Sequence, residues 1–163
     1  MPNEPIHEMV LVSIVSATVT ASPPAWNIAY EVHNTGQSVV WLVVDESLKL
    51  RRKNNHIELS YARGKMQSGV QVFGYFDPKA VKLLPGESLR RFVDITWPCH
   101  LSDIWNNERV SSPPFGIYEV TVRVGFALTA APKLEGGESV EGSVLRWQME
   151  AVSPSVQMEI QQY

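Results

Sequence analysis

Apolar residues along this chain recur at every second position far more often than at every third or fourth, which predicts strands rather than helices. Ile117–Phe126 shows the pattern best. Tyr118, Val120, Val122, Val124 and Phe126 fall on one parity, and Glu119, Thr121 and Arg123 fall on the other. That alternation predicts a strand with one face in a core and one in water. Trp26, Ile28, Tyr30 and Val32 repeat it, opposed by Asn27, Ala29, Glu31 and His33. His33-Asn34-Thr35-Gly36 then reads as a turn, since Asn and Gly tolerate positive φ. The continuous apolar run Val39–Val44 follows, and the two strands together predict a hairpin around a central strand covered on both faces.

Leu48 and Leu50, a polar turn at Arg51–Asn55, and Ile57, Leu59 and Tyr61 predict a second hairpin. Further strands are expected around Val70 and Val72, over Leu89–Trp97 after the Pro85-Gly86 turn with Val93, Ile95 and Trp97 inward, around Val144–Met149, and over Val156–Ile160. Helix signals are few. Leu101–Trp105, with Ser102 as cap, would make one or two turns before Pro113-Pro114. The pattern predicts an all-β sandwich of about eight or nine strands with at most one short helix. No repeat or linker divides residues 1–163, so one domain is expected.

Composition narrows the class of molecule. The chain has 163 residues, 44% apolar and 19% charged, enough for a real core and too little charge for a disordered polyelectrolyte. A net charge of −3 disfavours general phosphate-backbone binding. One cysteine excludes an internal disulfide and any multi-cysteine metal site. The apolar stretch Met9–Ala21 follows Glu4 and Glu8 with no Lys or Arg, unlike a secretory signal, and is too short to span a bilayer. Interspersed Ser and Thr mark it as a half-buried strand, and no Asn-x-Ser/Thr sequon occurs, so a cytoplasmic location with no membrane association is expected.

Three short motifs stand in a familiar order: Val32-His33-Asn34-Thr35-Gly36, then Leu84-Pro85-Gly86-Glu87-Ser88, then Gly116-Ile117-Tyr118-Glu119-Val120. They resemble bacterial immunoglobulin-like or fibronectin-III-like domains and, more narrowly, the intracellular proteinase inhibitor family. Ser153–Ile160 resembles the terminal strand of that broader group. The resemblance covers roughly residues 26–126 and the last strand, and implies an immunoglobulin-like antiparallel β-sandwich in a cytosolic protein. Residues 99–114 and 127–142 depart from the pattern.

No residue set reads as a catalytic or cofactor centre. Cys99 and His100 are chain neighbours, so on a strand they point to opposite faces. His7, His33, His56 and His100 are scattered, with no metal-ligand spacing. A copper site lacks a second histidine and methionine near Cys99. Glu135, Glu138 and Glu141 lack the Asp-x-Asp spacing of a calcium loop, and Gly136–Ser139 is no nucleophile elbow. Arg51, Arg52, Lys53, Arg63, Lys65, Arg90 and Arg91 would form a basic patch if the fold collected them; edge protection is the plainer reading, and no nucleic-acid partner is expected.

The expectation is therefore a non-catalytic domain, with no cofactor, that binds another protein as a protease inhibitor or a toxin-neutralising protein would. A carbohydrate-binding module using exposed aromatics is the alternative. Trp26, Trp41 and Trp97 fall in strand patterns and read as core, which leaves Trp105 and Trp147 as the tryptophans to find exposed. The candidate contact residues are Lys133, Glu135 and Glu138, on a projecting loop over 127–142, together with Trp105 and Trp147. Oligomeric state is left open.

Overall fold

The computed structural model describes residues 9–21, 24–44, 48–62, 80–97, 99–102, 107–110, 115–130 and 147–160. Twelve strands form among these residues, more than the alternation alone marks out, and none of these residues makes a helix long and apolar enough to cross a membrane. They are β1 (Val10–Ala21), β2 (Pro24–Asn34), β3 (Val40–Val43), β4 (Lys49–Lys53), β5 (His56–Ser60), β6 (Ala80–Leu83), β7 (Ser88–Thr96), β8 (Cys99–Ser102), β9 (Asn107–Val110), β10 (Gly116–Ala127), β11 (Met149–Val152) and β12 (Val156–Ile160).

The strands make two sheets. One has three strands in the order β1-β2-β7. The other runs β6-β3-β10-β5-β4-β8-β9, with β11 and β12 also on β10. One cluster of buried side chains lies between them, drawing Val12, Trp26, Ile28, Tyr30, Val32 and Val93 from the first sheet and Leu42, Ile57, Leu59, Val120, Val122 and Phe126 from the second. The result is an all-β sandwich, as the period-two pattern predicts.

β10 organises the larger sheet. Along one edge it pairs with β12 over Gly116–Val120 and with β11 over Arg123–Phe126. Along the other it pairs with β5 over Glu119–Arg123 and with β3 over Phe126–Ala127. The five alternating apolar residues Tyr118 to Phe126 are all buried, so the predicted register holds. The opposite parity is less wet than expected: Thr121 is buried and Arg123 half-buried. Strands on both edges carry long side chains over that face, and the His56 imidazole meets the Thr121 hydroxyl at 2.9 Å.

β11 and β12 would be one strand but for Ser153-Pro154-Ser155. Pro154 has no N–H to offer the ladder. Ser153 closes the gap: its N–H donates to the Val122 carbonyl at 2.8 Å, and its Oγ accepts from the Val122 N–H at 2.9 Å.

Several sequence expectations are corrected. β2 and β3 are not a hairpin, because they belong to different sheets. The Asn34–Gly36 turn arches the chain from one layer to the other, and neither residue takes positive φ; among the described non-glycine residues that conformation falls to Asn54, in the β4–β5 hairpin. Asn34 holds the arch through its side chain. Its Nδ2 donates to the carbonyls of Ser38 (2.8 Å) and Leu83 (3.0 Å), and its Oδ1 accepts from the Gly36 N–H (3.0 Å).

The sandwich is also not wholly antiparallel, since β5 pairs parallel to β10 and β4 parallel to β8. Leu101 and Ser102 lie in β8 rather than opening a helix, because the segment pairs with β9. Of the strand expected around Val144–Met149, Met149 opens β11 while Trp147 and Gln148 precede it, and residues 144–146 lie outside the described residues. Ala127, expected to start a loop, is the buried last residue of β10. The expected strand around Val70 and Val72 lies outside the described residues.

Candidate functional site

Trp147, one of the proposed contact residues, is half-buried, and its indole N–H donates to the Thr129 carbonyl at 3.0 Å. The bond closes the base of the connection that follows β10, next to the Phe126–Met149 pair that ends the β10–β11 ladder. Trp147 thus acts as a clasp at the base of this connection. Trp105, Lys133, Glu135 and Glu138 lie outside the described residues. Trp26 packs edge-on against Trp97, with ring centroids 5.3 Å apart and planes at 70°, in line with the core reading. Both indole nitrogens are buried with no hydrogen-bond partner, a cost that this corner of the core carries.

The basic residues are dispersed. Arg51 stands with Glu58 on the large sheet, and Arg52 lies over the Tyr118 ring and donates to its hydroxyl. Arg90 pairs with Glu31 on the small sheet, and Arg91 donates to the Val44 carbonyl and lies over Tyr61. Two sheets thus divide what the sequence grouped, and each of these four arginines has a local partner. Arg63 and Lys65 lie outside the described residues. His33 shares a 2.6 Å hydrogen bond with the Ser88 hydroxyl.

The two outer faces differ in how their polar groups are used. On the large sheet, Arg123 grips Glu58 with two hydrogen bonds of 3.0 Å and Glu150 with one of 2.7 Å. The Glu58 hydrogen bond is the main reason the Arg123 guanidinium holds its proton more tightly than usual, with Glu150 adding to it. Glu119, half-buried, is held below the usual carboxylate range by hydrogen bonds from Ser155 and then Gln157. This face is a lattice of side chains whose charges and hydrogen bonds are spent on one another. Ile117 stands exposed at its margin, opposite Glu159.

The small sheet is different. Its ladder sets Leu11 and Ser88 on either side of His33, Ser13 and Arg90 on either side of Glu31, Ser16 and Phe92 on either side of Ala29, and Thr18 and Asp94 on either side of Asn27. These residues share the parity opposite to the buried Ile28, Tyr30 and Val93, so they form the outer face. Phe92 is 76% exposed, flanked along β7 by Arg90 and Asp94. Around it are mostly small or paired groups, so Phe92 stands in solvent as the most exposed large apolar side chain of this face, with Leu11 farther off on β1. Placing Val93 and Ile95 inward already puts Phe92 on the polar parity of its strand. Its exposure depends on what the neighbouring strands set beside it, which the period-two pattern does not carry.

Comparison of the chain with protein-family models, with curated proteins and with solved structures finds no match.

Proposed function

We propose that this chain is a non-catalytic binding domain that engages another protein through the outer face of the β1-β2-β7 sheet. The observation that carries the reading is Phe92, an aromatic side chain 76% exposed at the middle of a rigid strand. Exposing a phenylalanine forgoes about 1.5–3 kcal/mol of burial, which a partner's apolar pocket would recover. Its neighbours suit such a contact: the Arg90–Glu31 pair at 3.2 Å and Asp94 supply a polar rim around an apolar centre. A protein is a better match than a sugar, because every described tryptophan is buried or half-buried and the Trp147 N–H is already bonded. An inhibitor of proteases or a toxin-neutralising protein is the kind of domain this reading includes.

The test compares the wild-type chain with Phe92→Lys, each immobilised and exposed to proteins of the native cell. Proteins held by the first and not the second are purified and titrated calorimetrically against both. Binding weakened at least about 30-fold by Phe92→Lys, the loss of roughly 2 kcal/mol typical of a central anchor, supports the reading. Equal binding by the two chains refutes it.

A further inference from the structure

Strand borders invite pairing with another chain, and proteins blunt them with charge, proline or brevity. Most borders of this sandwich carry such devices. β6 has four residues including Lys82, and β9 has four including Glu108 and Arg109. β11 and β12 carry Glu150 and Glu159 and are divided at Pro154. β7 bears Arg90, Arg91 and Asp94. β1 is the exception. It runs twelve residues, VLVSIVSATVTA, without a charge or a proline, and its only irregularity is a bulge between Ile14 and Ser16. Among the described residues it pairs with β2 alone, and it shows Leu11 57% and Val15 48% exposed.

We propose that β1 pairs with β1 of a second copy of this chain, antiparallel about a two-fold axis at Ser13, joining two small sheets into one of six strands. The match follows from the side chains. With Ser13 on the axis, Leu11 faces the partner's Val15 and Val15 faces the partner's Leu11, so both exposed apolar residues gain an apolar neighbour across the new ladder. On the inner face, Val12 faces the partner's Ile14, which extends the buried layer across the border. The paired segment is Val10–Ser16, and the bulge between Ile14 and Ser16 falls in its last residues, next to where the pairing stops. A second copy suits this border better than a charged partner does. The chain carries a net charge of −3, yet two β1 strands meet with no like-charged pair along the ladder. Symmetric pairing of one patch with itself is also the commonest form of self-association. Phe92 lies on the opposite border strand, so this pairing stands or falls independently of the function proposed above.

Sedimentation equilibrium of the whole chain, up to millimolar concentration, tests the association, and two variants test its place. Leu11→Lys puts a cation on an already exposed position and should raise the dimer dissociation constant at least about tenfold without unfolding the domain. Ser13→Cys in a Cys99→Ser background should cross-link rapidly under mild oxidation, because the two thiols meet on the axis. Thr18→Cys in the same background lies off the axis and should cross-link slowly. A wild-type chain that stays monomeric overturns the proposal and leaves this border to an extended segment of a different protein. A dimer that ignores Leu11→Lys, or in which both cysteines cross-link at the same rate, also overturns it by placing the contact elsewhere.

Discussion

Replacing Asn34 with alanine should destabilise the domain severely, although alanine is smaller and the position is a turn. The side chain is fully buried and makes three hydrogen bonds, to Ser38 O, Leu83 O and Gly36 N. Alanine leaves two carbonyls and one N–H without their partner, at about 1–3 kcal/mol for each group that water does not reach. The Ser38 bond is only partly buried, so water will recover some of its share. A net loss of about 3–5 kcal/mol follows, which is a third or more of the stability of many domains. In a domain of this size, that lowers the melting temperature by roughly 6–20 °C. Urea unfolding followed by tryptophan fluorescence measures it directly.

Asn34→Asp separates this account from a simple turn preference. Aspartate keeps the acceptor for Gly36 but aims a carboxylate at two carbonyl oxygens. Its folded pKa must then lie above its unfolded value near 3.9, so the folded state favours the protonated form. The variant is penalised at neutral pH and regains stability as the pH falls toward its unfolded pKa. A loss below about 1 kcal/mol for Asn34→Ala, or an Asn34→Asp chain as stable as wild type at neutral pH, would refute the reasoning.

Val122→Ala removes two methyls from a fully buried position on β10 and should cost about 1–3 kcal/mol, read as a lower urea midpoint with an unchanged slope. Arg123→Met breaks the ties to Glu58 and Glu150 and should cost about 1–2 kcal/mol at low ionic strength and visibly less in molar salt; a salt-independent loss would argue for packing instead. Burial, reinforced by Tyr61 and opposed by Arg91, raises the Tyr30 phenol well above its ordinary range. A folded pKa above the unfolded one contributes stability that is complete below about pH 10 and is lost as the pH climbs toward the folded value. Tyr30→Phe should therefore show a flatter decline in urea midpoint between pH 9 and 11 than wild type, and parallel declines would contradict the assignment.

The sequence was most legible where one physical cause acts locally. Alternation named the buried faces of β2, β7 and β10 residue by residue, because period-two burial is written directly into side-chain type. It failed where the partner of a strand had to be known. Asn34-Thr35-Gly36 announces a turn, but nothing nearby says whether the chain returns to its own sheet or crosses to the other, since that depends on Leu83, 49 residues away. The parallel pairing of β5 with β10 is equally silent, because parallel and antiparallel neighbours demand the same apolar parity. Thr121 looked solvent-facing for the same reason: the His56 ring that meets it comes from another strand. At the candidate surface, the parity of Phe92 was visible and its 76% exposure was not, because exposure depends on what neighbouring strands place beside it. The role of Trp147 as a clasp needed Thr129, 18 residues earlier in the chain, to come into view.

The late position of β10 has a consequence for biosynthesis. A ribosome delivers the chain from its amino end, and β1, β2 and β7 are all present once Thr96 has been made, so the small sheet has every strand it needs. The large sheet does not. β3 and β5 both wait for β10, which begins only at Gly116. At about 5–20 residues per second, roughly 3–11 s separate the synthesis of Ser60 from that of Gly116. Throughout that interval the border of β5 that pairs with β10 has no partner strand, and once Thr96 is made the small sheet too presents an uncovered apolar layer. A nascent chain stalled in that window exposes both halves of an unassembled core, and it is there, rather than in the finished protein, that chaperone capture and aggregation would concentrate.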